Sequence, residues 1–253
     1  MSSGKGAIVE IASLSHNVVM PIASTDVRGD IRSALLTRSD PARPFVTYLG
    51  PDGRMELSGA SVANAAAKIA NALVGAFDLQ AGDSVGVHIP WHWQRVTWLI
   101  GIWSAGCTVV PGGGEECDLI VAGPKEAAGL PGSVQVVSMH PFGMPLDAAA
   151  MAQLPPGVED VTLAVRTQPD QQVFTDDHSQ QLALDGLTQA ELLQRGVEWA
   201  KPHAQATCLG MVPGPDQWWL PAIWPLVTDG AVVLADTIDD DARSSERIEV
   251  VAD

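Results

Sequence analysis

The chain has 253 residues, of which 46% are hydrophobic and 17% are charged, as in a folded globular protein with a sizeable core. This composition excludes a chain that is disordered throughout. No apolar run approaches the roughly 18 to 20 residues that a membrane-spanning helix needs. The formal net charge of −16 disfavours nucleic acid and membrane surfaces as partners, because an anionic surface repels their phosphate groups.

The chain contains three cysteines, Cys107, Cys117 and Cys208. Their odd number and the lack of a C-x-x-C spacing are typical of reduced, mostly buried thiols in a cytoplasmic protein. The N-terminus carries Lys5 and a short apolar patch, but Glu10 interrupts that patch. The sequence therefore does not predict a secretory signal, and we expect a cytoplasmic protein.

Composition and patterning divide the chain into four parts. Residues 1–30 are weakly patterned and are predicted to form a loose leader. Two α/β halves follow, over residues 31–140 and 158–253, and we expect them to pack together as one domain. Residues 141–157, rich in Pro, Ala and Met, are predicted to connect the halves.

The first half opens with a predicted short amphipathic helix over residues 31–38 and a hairpin. The hairpin strands are residues 45–50 and 54–57, because Gly50-Pro-Asp-Gly between them is turn chemistry. Apolar residues at spacings of three and four then predict a long helix that Ser58 or Ser61 caps. The later predictions are strands at 84–89, 108–110, 118–122 and 134–138 and a helix at 94–105.

The helix predicted at residues 94–105 is apolar almost all round its surface. Such a helix is expected to be buried on most sides or to lie in an interface.

The second half repeats the order of the first. The offset is 124 residues between Gly106 and Gly230 and 130 residues between Leu57 and Leu187, so the repeat is structural rather than strict. The sequence therefore predicts an α/β fold of two pseudo-repeated sheet halves flanked by helices. The corresponding segments are Leu57-Ser-Gly and Leu187-Thr-Gln, residues 85–90 and 208–213, residues 99–103 and 222–227, and residues 105–110 and 229–234.

Four segments between Arg43 and Gly112 carry a resemblance to a known family. They are Phe45-Val-Thr-Tyr, Leu57-Ser, Leu79-Gln-Ala-Gly-Asp-Ser-Val-Gly-Val-His-Ile-Pro and Trp103-Ser-Ala-Gly-Cys-Thr-Val-Val-Pro. Their order resembles the N-terminal domain of the adenylate-forming enzymes, the AMP-binding or acyl-CoA synthetase-like superfamily. The chain is also similar to a short actinobacterial group of truncated, synthetase-like proteins. The resemblance implies the fold.

Departures from the superfamily pattern argue against adenylation. The resemblance implies a Ser/Thr/Gly-rich loop ending in lysine, just before Leu187-Thr-Gln, whose N–H groups and cation grip the ATP phosphates. Here residues 167–186 have one glycine, no lysine or arginine, and four aspartates that would repel a triphosphate. Full-length members are about twice as long, and their later half supplies the adenine and ribose motifs and the catalytic lysine. No cofactor is required by the sequence, and these departures argue against ATP or AMP binding.

Three further patterns are explained without a site. Acidic residues follow Pro111-Gly-Gly-Gly, which favours a flexible turn over a phosphate loop. Pro90 lies between His88 and His92 and removes the helix that would align them on a metal, and Asp176-Asp177-His178 is typical of a solvated loop. No G-x-S-x-G elbow occurs. We therefore predict no metal site and assign no catalytic residue.

Tryptophan is the unusual feature of the composition, with eight residues against four phenylalanines and one tyrosine. Seven of them lie in two segments of the repeat, residues 91–103 and 218–224. Core packing between the halves is the favoured interpretation. The alternative is an aromatic ligand site at the carboxyl ends of the strands, where α/β sheets bind ligands. Its candidate residues are Trp91, His92, Asp216, Gln217 and Trp218.

These observations predict a non-catalytic remnant of an AMP-binding domain that acts as a binding or interaction protein. Three versions stay open. The chain could be a pseudoenzyme that still holds a nucleotide or an acyl group. It could be an interaction module that forms a homodimer or pairs with a full-length synthetase, using an exposed apolar patch such as the helix at 93–103. It could also be half of a two-chain ligase.

Overall fold

The computed structural model describes residues 29–51, 53–214 and 217–252. Most of the predicted leader therefore lies outside the described residues. Its last residue, Asp30, is buried, and its side chain caps the first helix by accepting a hydrogen bond from the Ser33 N–H.

Within these ranges the chain forms eight α-helices, twelve β-strands and a short 3-10 helix at Lys201–His203. The helices are α1 (Ile31–Leu36), α2 (Gly59–Gly75), α3 (Trp93–Ser104), α4 (Ala148–Met151), α5 (Thr162–Arg166), α6 (Gln189–Ala200), α7 (Leu220–Thr228) and α8 (Asp240–Ser245). The strands are β1 (Pro44–Gly50), β2 (Gly53–Ser58), β3 (Ser84–His88), β4 (Thr108–Pro111), β5 (Leu119–Ala122), β6 (Val134–Val136), β7 (Glu159–Asp160), β8 (Leu182–Leu184), β9 (Leu187–Thr188), β10 (Cys208–Met211), β11 (Ala231–Ala235) and β12 (Val250–Ala252).

The predicted elements of the first half are all present, and their ends shift by no more than two residues. Of the two proposed caps, Ser58 is the one that begins α2. Its hydroxyl accepts a hydrogen bond from the Ser61 N–H at 3.2 Å. This bond satisfies one of the free N–H groups of the first turn.

The strands form two five-stranded sheets and a small two-stranded one. The first sheet has the order β12-β10-β11-β1-β2, parallel except for β2, and the second has the order β4-β3-β5-β6-β7, parallel throughout. The predicted α/β class, with sheets flanked by helices, is confirmed. The β1–β2 hairpin belongs to the sheet that the later part of the chain forms. Its strand β1 runs parallel to β11, with Val46 opposite Val232.

One hydrophobic core joins the two large sheets. It contains Val46 and Val232 from the first sheet, Val85 and Val121 from the second, and residues of α1, α2, α3, α6 and α7. Smaller clusters lie around Ile120 and Val134 of the second sheet and around Val233 and Ile248 beside the first. Because residues of five helices and both sheets share one cluster, the helices connect the two sheets through a common apolar interior.

Helix α3 is the most deeply buried helix of this core. Every residue of α3 except Arg95 is buried, which confirms the burial predicted for it. The same fact corrects the suggestion that this helix is an exposed interaction patch. Trp98 and Trp103 of α3 and Trp224 of α7 are also buried, so core packing is the role of these three tryptophans.

A glycine stands at each of the two helix crossings of the repeat. A Cβ on Gly101 of α3 would lie 2.5 Å from Cγ2 of Ile69 of α2, and a Cβ on Gly196 of α6 would lie 2.4 Å from Cγ2 of Ile223 of α7. No side chain fits at either point. Both helix pairs therefore pack closely because glycine is present.

Candidate functional site

A cavity of about 280 Å³ lies at the carboxyl edge of the second sheet. The loops that follow β3, β5 and β6 supply one side of it, and because these strands are parallel their loops meet at the same edge. The β1–β2 hairpin of the first sheet supplies the other side. The lining residues are Tyr48, Pro51, Gly53, Arg54, Met55, Pro90, Trp91, His92, Lys125, Met139, Pro141 and Phe142.

Two of the five sequence-predicted site residues, Trp91 and His92, line this cavity. Gln217 and Trp218 do not line it: Trp218 packs against the main core, and Gln217 has a buried Oε1 with no hydrogen-bond partner among the described residues. Asp216 lies outside the described residues.

The lining residues that the sequence did not predict include Tyr48, Arg54, Lys125 and Phe142. They come from the hairpin and from the loops after β5 and β6, which are far apart in the chain. The one available signal was that these loops follow strands of a parallel sheet, since the carboxyl ends of such strands share an edge.

His92 fixes the start of α3 and packs at the cavity wall. Its Nδ1 accepts a hydrogen bond from the Gln94 N–H at 3.2 Å, so His92 is the cap of the helix. Its ring meets the ring of Tyr48 edge-on, with 4.6 Å between centroids. The residue is 5% exposed, and burial lowers its pKa to about 4. The imidazole is therefore neutral at neutral pH, with the lone pair on Nδ1 committed to the helix.

Acid is expected to destabilise the fold through His92. An unfolded histidine has a pKa of about 6.5, so the depressed pKa adds stability that is complete above pH about 6.5 and is lost as the pH falls towards 4. At pH about 4.5 the loss is about 2 to 3 kcal/mol. His92→Asn keeps a capping acceptor that does not titrate. Urea unfolding of both proteins at pH about 7.5 and 4.5 should show a smaller loss in the variant, and equal losses would contradict the assignment.

Trp91 forms an aromatic wall of the cavity. The Arg95 guanidinium lies over its ring, 5.7 Å from the centroid, and the Arg95 Nε donates to the Ile89 carbonyl at 2.8 Å. The indole Nε1 of Trp91 is buried and has no hydrogen-bond partner among the described residues. The wall therefore carries an unsatisfied N–H donor below its surface, which another molecule reaches only if the Trp91 side chain moves.

Two cations lie at the cavity. Arg54 is already engaged, since it pairs with Glu56 and, at 2.8 Å, with Glu246, and these hydrogen bonds raise its pKa. Lys125 is exposed and has no ion pair within the described residues. An anionic group in the cavity would therefore meet Lys125 rather than Arg54.

Residues 178–182, in the later part of the segment at 167–186 where the resemblance implies a phosphate loop, lie at the amino edge of the second sheet. The Thr108 hydroxyl at the start of β4 donates to the Leu182 carbonyl at 3.0 Å. A Cβ on Gly106, just before β4, would lie 2.7 Å from Nδ1 of His178. The cavity lies at the carboxyl ends of the strands, so residues 178–182 and the cavity are at opposite edges of the sheet.

Three backbone N–H groups of the segment at 167–186 donate hydrogen bonds to side chains of the same protein. The Val173 N–H donates to Asn71 Oδ1 at 3.0 Å, the His178 N–H to Asp30 Oδ2 at 3.1 Å, and the Ser179 N–H to Asp177 Oδ1 at 2.8 Å. Two of these three acceptors are carboxylates. The N–H groups of His178 and Ser179 are therefore already bonded to anionic oxygens of the chain itself.

Lys68, the one lysine of α2, also contacts the segment at 167–186. The Lys68 ammonium donates to the Gln168 carbonyl at 2.6 Å and pairs with the Asp170 carboxylate at 2.8 Å. Its charge is therefore compensated within the chain.

Other chemistries find little support in the described residues. No group of three or more His, Cys, Asp or Glu side chains in this part of the chain could hold a metal ion. The three cysteines are free and buried, and burial raises the pKa of Cys107 to about 12 and that of Cys208 to about 11, which makes them poor nucleophiles. Every described helix is too short or too polar to cross a bilayer.

Sequence comparison finds two relationships. The family signature described as "AMP-binding enzyme" matches residues 36–113. The "TIGR03089 family protein" of Mycobacterium tuberculosis (strain ATCC 25618 / H37Rv) is 30% identical to this chain over 208 residues, which cover 70% of this chain and 82% of that protein.

Structural comparison finds adenylate-forming enzymes. Apo MatB from Rhodopseudomonas palustris matches with a TM-score of 0.65 and 15% identity, over 88% of this chain and 48% of that chain. Brucella canis acyl-CoA synthetase matches with a TM-score of 0.70 and 15% identity, over 90% and 48%. The chain spans about half the length of these two proteins. The likeness confirms the predicted resemblance in fold to their N-terminal domain.

Proposed function

The chain belongs to the TIGR03089 family and has an AMP-binding, acyl-CoA synthetase-like fold, and we propose that it is a binding protein that does not adenylate. The observation that supports this most strongly is the segment at residues 167–186. Two of its N–H groups, those of His178 and Ser179, bond to carboxylates of the same chain, and the neighbouring ammonium of Lys68 pairs with Asp170.

Electrostatics make this segment a poor place for a triphosphate. Two unit charges of the same sign about 4 Å apart repel by about 4 kcal/mol at an effective dielectric constant of about 20. Asp30 and Asp177 would each oppose a phosphate brought to the N–H groups that they occupy. Displacing both carboxylates would leave Asp30, which is buried, without one of its hydrogen bonds.

Thermal unfolding of the full chain with ligands tests the proposal. A ligand at a hundred times its Kd adds about 2.7 kcal/mol, and at about 2 to 4 °C per kcal/mol for a chain of this size it raises Tm by roughly 5 to 11 °C. We expect no rise with magnesium ATP at millimolar concentration, while a full-length acyl-CoA synthetase in the same buffer serves as the positive control. A rise of this size for the chain itself would contradict the proposal.

The carboxyl-edge cavity supports a second candidate, in which the protein still holds a nucleotide or an acyl group. The supporting observation is the buried Trp91 N–H without a partner in the described chain, near the exposed Lys125. In the same unfolding assay, AMP, CoA and acyl-CoAs would then raise Tm, and Trp91→Phe, which keeps a ring but removes the donor, would reduce the rise. A rise of the same size in both proteins would place the ligand elsewhere.

If the chain acts as an interaction module, it binds another protein. The partner classes that we propose are a second copy of this chain and a full-length synthetase. Such contact would use side chains other than those of α3, since that helix is buried.

A further inference from the structure

A second cavity, of about 120 Å³, lies where α2, α3 and α5 meet. It shares no lining residue with the carboxyl-edge cavity. Each helix turns one face towards it: Ile69 comes from α2, Trp93 and Trp98 from α3, and Val165 from α5. The walls are therefore mainly aromatic and aliphatic.

The polar side chains of this cavity are already bonded within the protein. The Thr97 hydroxyl donates to the Gln94 carbonyl at 2.9 Å, and the Gln94 amide nitrogen donates to the Ser138 carbonyl. The Thr162 hydroxyl accepts from the Ser138 N–H at 3.2 Å. Because these groups are engaged, the interior favours an apolar occupant over a polar one.

The volume sets the size of that occupant. An apolar protein cavity of about 150 Å³ is known to hold benzene. A cavity of about 120 Å³ that opens at one side can take one six-membered ring, or a branched chain of similar size, with the rest of the molecule at the mouth.

Of the two cations that line this cavity, Arg166 is the one that has no ion pair with a described residue. Lys68 is paired with Asp170 at 2.8 Å, whereas Arg166 is exposed and its described hydrogen bonds are weak ones, to Met144 Sδ at 3.0 Å and to the Gly143 carbonyl at 3.5 Å. The remaining N–H groups of the guanidinium can bind a carboxylate in a two-pronged geometry.

We propose that this cavity binds a small aromatic or branched-chain acid. The hydrocarbon end lies against Trp93 and Trp98, and the anionic group lies on Arg166. The site is separate from the carboxyl-edge cavity and contains no residue of the segment at 167–186, although Lys68 lines it and pairs with Asp170 of that segment.

A fluorinated probe tests both halves of the assignment in the full chain. Titration of 4-fluorophenylacetate, followed by fluorine NMR, is expected to show saturable binding. The amine 4-fluorophenethylamine has a similar shape and the opposite charge, and it is expected to bind at least about 10-fold more weakly, since a charge-assisted hydrogen bond is lost. Equal binding of the two probes, or binding of neither, would overturn the proposal.

Variants locate the probe. Arg166→Gln should weaken binding of the acid about 10-fold or more, and Ala65→Leu, which fills the cavity from α2, should abolish it. Arg243→Gln on α8 is the matched control and should bind normally. Unchanged binding in Arg166→Gln would overturn the assignment, as would loss of binding in Trp91→Phe with normal binding in Ala65→Leu, because the probe would then occupy the carboxyl-edge cavity.

Discussion

Gln189→Leu is expected to lower the free energy of unfolding by about 2 to 4 kcal/mol. Gln189 is fully buried at the start of α6. Its Oε1 accepts from the Ile31 N–H at 3.0 Å, and its Nε2 donates to the Trp103 carbonyl at 2.7 Å. Leucine has a similar volume but leaves the Ile31 N–H without this partner, at a cost of about 1 to 3 kcal/mol. The Trp103 carbonyl keeps its hydrogen bond from the Gly106 N–H at 2.9 Å, so losing the Gln189 donor there costs only about 0.5 to 1.5 kcal/mol.

Chemical denaturation of the variant measures this loss. Gln205→Leu is the matched control, because Gln205 is exposed, and it should change stability by less than about 0.5 kcal/mol. If the two variants unfolded at the same denaturant concentration, Gln189 would not be the link that joins α1, α3 and α6.

Arg38→Met is also expected to have a large effect and to lower the free energy of unfolding by about 2 to 4 kcal/mol. Arg38 is 7% exposed, and its guanidinium donates to the carbonyls of Pro225, Asp229 at 3.3 Å and Gly230 at 3.2 Å. These carbonyls lie in the last turns of α7 and just beyond it, where the helix itself offers no donor. Methionine preserves the apolar stem but leaves the three oxygens without the cation.

The same denaturation assay separates this role from a general effect of charge. Arg43→Met removes an exposed arginine five positions away and is expected to be nearly neutral. A neutral Arg38→Met, or a loss as large in Arg43→Met, would contradict the capping role.

Local signals explain why the helices and strands could be predicted. The three-and-four spacing of α2, its Ser58 cap and the Gly50-Pro-Asp-Gly turn all lie within a few residues of the elements they define. The pairing of β1 with β11 could not be predicted in the same way. Apolar strands of similar composition can pair in parallel with one another about equally well. Packing over the whole core determines which two strands pair.

The residues of the candidate site could likewise be predicted only where a local signal marked them. Trp91 and His92 could be singled out because they follow a predicted strand, β3. Gln217 and Trp218 follow the corresponding strand of the repeat, β10, but β10 belongs to the other sheet, and neither residue lines the cavity. Correspondence within a repeat therefore identified similar elements without identifying neighbours in space.

ATP–pyrophosphate exchange is the most direct test of whether the chain adenylates. The full chain would be incubated with magnesium ATP, labelled pyrophosphate and a panel of carboxylic acids. A binding protein without adenylation predicts no more label in ATP than in a reaction without protein. Exchange above that background, lost in Trp91→Ala prepared in the same way, would contradict it and establish the chain as an active adenylate-forming enzyme.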